Sequence, residues 1–77
     1  MTSTHTLTLR VAHELRAELD RRGLTQQDLA TMLGWSQQRV SRRVAGAVPL
    51  DVAELEAVAA VLGIPPRQLM GATAAGA

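Results

Sequence analysis

Between Ser36 and Gly46 the chain carries Gln37, Gln38, Arg39, Arg42 and Arg43 without an acid, a local charge of +3. A glutamine carboxamide can donate to and accept from an adenine edge at once, and a guanidinium fork fits guanine; each such pair is worth about 1 to 3 kcal/mol of base discrimination. The same guanidinium groups suit phosphate oxygens. A bland reading is available, because glutamine is ordinary at polar helix starts and charge runs are usually solvated faces. Three arginines with no intervening acid favour contact with an anion. Residues 47 to 62 then carry Asp51, Glu54 and Glu56 with no base, a charge of −3, so the formal net charge of +1 conceals a gradient along the chain.

Other chemistries find little support. Glu14, Glu18 and Asp20 alternate with Arg16, Arg21 and Arg22 on one predicted helix and read as solvated charge pairs. His5 and His13 have no cysteine or third ligand at metal spacing, so no metal is expected. Signatures of a hydrolytic nucleophile and of a phosphate-cradling glycine loop are missing, so neither an enzyme nor a cofactor is expected. Trp35, the only aromatic residue, sits in a turn and is expected to pack on the core.

The elements that must position these side chains are helices. Glycines at 23, 34, 46, 63 and 71 each follow a helix-periodic stretch, where a residue without Cβ most easily makes a left-handed cap. The first helix is expected from about Thr8 to Arg22, with Val11, Leu15 and Leu19 inward and Arg16, Glu18 and Arg22 toward water. Thr25 and Asp28 have capping-box spacing before Leu29, Ala30 and Leu33. Ser36 caps a third helix, Gln37 to Ala45, whose one apolar seam is Val40 with Val44. Asp51 and Glu54 open a fourth helix with Leu55, Val58, Ala59 and Leu62 on one face. Pro65 and Pro66 open a short last helix that ends in Leu69 and Met70. No segment alternates with period two, so the expected class is all-α with five helices. The short connection from Leu33 to Ser36 gives helix-turn-helix spacing, with the third helix held by one edge and free to enter a major groove.

The run LRAELDRRGLTQQDLATMLGWSQQRVSRRVAG, residues 15 to 46, resembles the DNA-binding domain of the lambda repressor/Cro-like (XRE-type) helix-turn-helix regulators. The following PLDVAELEAVAAVLGIPPRQLM is similar to that family's fourth helix and short last helix. The resemblance implies a phosphate contact at Gln26 and base-reading positions at Gln37, Gln38 and Arg42. It implies a transcriptional regulator, a repressor of phage, prophage or bacterial origin, that dimerises on a two-fold operator in double-stranded DNA. Where the family commonly has an apolar residue and then Glu, this chain has Arg43 and Val44, which changes the inward-facing side chain. The uncharged Gly46, Ala47, Val48 and Pro49 leave phosphate positioning to Arg16, Arg39 and Arg43, with Ser36 at the helix start. Self-contact in related domains lies near the last helix, which points to Ile64, Pro65, Pro66 and Arg67.

Seventy-seven residues allow one small domain, expected at 7 to 70 between tails at 1 to 6 and 71 to 77. The apolar run from Ala57 to Ile64 is far below the roughly 18 residues of a membrane span, and the polar start lacks a basic n-region. The expected compartment is the cytoplasm, with the protein on the nucleoid. Two alternatives stay open: an antitoxin-like module that binds a protein partner on the same scaffold, or the DNA-binding part of a larger regulator.

Overall fold

Side-chain caps set the starts of three of the helices. In the computed structural model, which describes residues 4 to 70, the order is α1 (Thr4–Arg22), α2 (Gln26–Leu33), α3 (Gln37–Val44), α4 (Val52–Leu62) and α5 (Pro66–Leu69). The chain is all-α across the described residues. Thr25 Oγ1 accepts from the Asp28 N–H at 3.0 Å while the Thr25 N–H donates to Asp28 Oδ2 at 2.9 Å. Asp51 and Glu54 form the same reciprocal pair at the start of α4, with bonds of 2.7 and 3.1 Å. Such caps satisfy amides that a helix start leaves without partners, each contributing about 1 kcal/mol. Gly34 closes α2 at φ +71°, a left-handed conformation that an L side chain resists, and so turns the chain sharply into α3.

One core unites the helices. Leu15 and Leu19 of α1, Leu29 and Ala30 of α2, Val40 and Val44 of α3, Val58, Ala59 and Leu62 of α4, and Leu69 of α5 form a single buried cluster. Helix α3 packs chiefly on α2 and α1, whereas α4 packs on α5 and α2. Leu69 is fully buried, which anchors a helix of four residues that could not persist alone.

Three features depart from the sequence reading. Helix α1 begins at Thr4 instead of about Thr8, so residues 4 to 6, expected in a tail, are helical. Leu7, in the added turn, lines an apolar groove with Val11, Pro49, Leu50, Leu55 and Met70. The rest of the expected tails, residues 1 to 3 and 71 to 77, lies outside the described residues. Second, Ala12 is buried where Val11 was expected, and Val11 is only half-buried.

Third, Glu18 does not face water but is 2% exposed. Burial disfavours its ionised form, yet bonds from the Gln68 carboxamide at 2.7 Å, from Arg21, and from Arg22 at 3.1 Å outweigh that penalty. Its carboxyl is therefore held below the usual range. Gln68 belongs to α5, so this carboxylate and Leu69 together fasten the last helix to α1. Leu69→Ala is expected to lower unfolding free energy by about 2 to 5 kcal/mol, read as a drop in the urea midpoint, because it removes a fully buried side chain and leaves a cavity.

Candidate nucleic-acid interface

Helix α3 starts at a tight junction. Ser36 Oγ accepts from the Arg39 N–H at 3.1 Å, and the Trp35 N–H donates to the Ala30 carbonyl at 3.0 Å, so the three residues between α2 and α3 are bonded at both ends. With about 100° of rotation per residue, Gln38 and Arg42 fall roughly opposite the Val40 and Val44 seam. Both valines are buried, and Gln37, Gln38, Ser41 and Arg42 are exposed. Among the described residues the side chains of Gln37, Gln38 and Arg42 make no hydrogen bond or ion pair. Gln26 is half-buried and stands at the opposite end of α2 from that junction, as its first residue.

Arg39 and Arg43 lie one turn apart on the flank toward α4, and both pair with Glu54. Arg43 Nε donates to Glu54 Oε1 at 3.2 Å and its Nη2 to Oε2 at 3.1 Å, while Nη1 reaches the Arg39 carbonyl at 3.1 Å. Arg39 Nη2 donates to Glu54 Oε2 at 2.7 Å, and its guanidinium carbon stands 4.0 Å from the centroid of the Trp35 ring. With the Asp51 N–H on Oε1, Glu54 accepts four bonds, which fills the roughly four lone-pair sites of a carboxylate. Glu54 is buried at 8% exposure. Desolvation works against its charge, but Arg39, the Asp51 amide and Arg43 prevail and hold its carboxyl down to about 2.

Glu54 is the residue that sequence reasoning missed in this role. Its spacing from Asp51 gave the cap, which the structure contains, but not the second duty toward α3. The available signal was that Arg39 and Arg43 are four residues apart and so share a helix face that needs an acceptor. Trp35 is half-buried and packs against the core as expected, with the cation over its ring as an addition.

The other expected site residues are dispersed around this helix. Arg16 of α1 is exposed and donates through Nη1 to the Val44 carbonyl at the C-terminal end of α3, a favourable place for a cation. Pro65, Pro66 and Arg67 are exposed, whereas Ile64 is half-buried and packs against the core. They lie on the α4 to α5 junction and form no part of the α3 surface. No group of acidic, histidine or cysteine side chains able to hold a metal occurs among the described residues, and none of their helices is long and apolar enough to cross a membrane.

A helix-turn-helix family model matches residues 15–69, which span all of α2, α3, α4 and α5 together with the C-terminal part of α1. The chain belongs to the XRE-type, lambda repressor-like helix-turn-helix family. It is a family of DNA-binding transcriptional regulators and not of enzymes. No curated protein and no solved structure matches the chain significantly.

The geometry around Glu54 carries a pH prediction. A carboxyl whose folded value lies near 2, against about 4.5 ordinarily, stabilises the fold fully above 4.5 and loses that contribution as pH falls toward 2. Glu54→Gln is expected to flatten the fall in urea midpoint between pH 5 and pH 2 relative to the wild type, with the difference between the proteins largest at neutral pH.

Proposed function

We propose that the chain is a sequence-specific repressor of bacterial, phage or prophage origin that binds a two-fold operator as a homodimer, with α3 in the major groove. The observation that carries this reading is the free outer face of α3. Gln38 and Arg42 point away from the core seam, carry the two side-chain types best suited to adenine and guanine, and have no competing partner among the described residues. Gln37 extends that face toward the helix start. Gln26, Ser36, Arg16 and Arg39 supply phosphate contacts on either side of it, while Arg43 serves first to brace the helix. Occupying an operator is sufficient to repress, and nothing in such a mechanism needs a cofactor.

A dimer follows from affinity. A module of this size buries about 600 to 1,000 Å² on DNA, and two such modules on half-sites one helical turn apart double the base readout. Self-contact is assigned to exposed Pro65, Pro66 and Arg67, with half-buried Ile64 beneath them.

Selection from a random duplex library near physiological salt is expected to enrich an inverted repeat with half-site centres about 10 bp apart. Gln38→Ala and Arg42→Ala should each lose about 1 to 3 kcal/mol of preference at particular positions of that repeat. Gln26→Ala should instead weaken every duplex alike. Recovery of no enriched sequence, or equal binding of all three variants to the repeat, would remove the base-reading assignment. Arg67→Glu is expected to abolish paired occupancy but leave binding to a single half-site intact.

A further inference from the structure

Arg39 and Arg43 share one carboxylate but are held by it unequally. Arg43 meets Glu54 through two parallel bonds, adds a third to the Arg39 carbonyl, and keeps a side-chain exposure of only 16%. Arg39 has a single bond to Glu54, and its side chain is 43% exposed. Its other contact is the face of Trp35, which holds a cation without saturating its donors. If Arg39 leaves, Glu54 keeps both Arg43 bonds and the Asp51 amide, and the brace between α3 and α4 survives. A phosphate oxygen offers a guanidinium the same charge and the same geometry as a carboxylate oxygen. Arg39 also lies in the first turn of α3, beside the face that carries Gln38 and Arg42.

We propose that Arg39 is an exchangeable cation, held by Glu54 in the free protein and passed to a backbone phosphate when duplex DNA binds, while Arg43 stays on Glu54. The inference rests on the reading of α3 as the DNA face and assigns Glu54 a regulatory part in it. Glu54 competes with phosphate for one arginine, so it lowers affinity for any duplex by a common factor and leaves discrimination to the base contacts. The protein thus keeps a cation next to its reading face without presenting that charge fully to DNA of arbitrary sequence.

The test uses the full chain and a 20 bp duplex of mixed sequence, with affinity measured across a salt titration. Glu54→Gln preserves side-chain length and the capping interaction while removing the competing charge. It is expected to bind the duplex about three- to tenfold more tightly than the wild type at low salt, where phosphate contacts dominate affinity. Arg39→Gln should weaken binding and flatten the slope of log affinity against log salt by about 0.9, the loss of one phosphate contact. In the Arg39→Gln background the gain from Glu54→Gln should vanish. Glu56→Gln removes the same charge from an exposed position of α4 and should gain less than about twofold, the size of a nonspecific charge effect. An equal gain from Glu56→Gln, or a gain from Glu54→Gln that persists without Arg39, overturns the proposal.

A measurement without variants guards against misfolding. In nitrogen-edited NMR of the wild type, the Arg39 guanidinium signals should move on addition of duplex, while the Arg43 Nε–H signal stays in place. Immobile Arg39 signals, or equal movement of both, contradict the exchange. Absence of salt-dependent binding by the folded wild type is a separate outcome, because it overturns the DNA reading itself.

Discussion

A helix that must show most of its surface to a partner cannot be held by burial, and this constraint organises the structure around α3. Its eight residues bury two valines, which supply a seam but little resistance to rotation about the helix axis. Orientation is fixed instead by polar anchors at each end and along one flank. Ser36 caps the start, Arg16 reaches the last carbonyl from α1, and Glu54 grips Arg39 and Arg43 from α4. Removing any one of these would leave the helix in place but less certain of its angle, on which the proposed base readout depends.

That solution draws on the same residues that give the surface its charge. Of the three arginines on α3, two are bound to one carboxylate, so helix and brace together present a net charge of +2 where the helix alone carries +3. Of the three, only Arg42 projects without a partner among the described residues. The gradient visible in the sequence, basic at 36 to 46 and acidic at 47 to 62, is thus partly closed on itself in three dimensions. A second buried carboxylate, Glu18, works similarly at the other end of the fold, joining α1 to α5 through Gln68. In both cases ionisation is retained in a buried position because every oxygen finds donors, and no buried side-chain polar atom among the described residues lacks a partner.

What could be read from the sequence was what neighbours in sequence determine. Capping boxes at Thr25 and Asp51, the left-handed glycines at 23, 34, 46 and 63, the Val40 and Val44 seam and the five-helix order are set by residues within about one turn of each other, and each stands in the structure, while Gly71 lies outside the described residues. Glu18 and Glu54 were opaque because their burial depends on partners brought in by the fold: Gln68 for the one, Arg39 and Arg43 for the other. Local reasoning found Glu18 its neighbours Arg21 and Arg22 but could not see that α5 covers it. The early start of α1 was hidden for a similar reason, since the groove that Leu7 lines is completed by Pro49, Leu50 and Met70, far along the chain. Of the candidate interface, the outward positions were legible from helical spacing, and the division of the arginines between bracing and exposure was not.

The division of labour on α3 has a consequence for how such a protein can change over generations. Val40, Val44, Arg39 and Arg43 carry the packing and bracing, whereas Gln37, Gln38, Ser41 and Arg42 are exposed and bear no part of the core. Substitution at the latter four meets almost no stability threshold, because surface changes away from caps and pairs usually cost within about 0.5 kcal/mol. Those positions can drift, duplicate and diverge while the scaffold stays folded. Constraint on one half of a helix therefore leaves the other half open to novelty, and the boundary between the two halves runs along the line of Arg39.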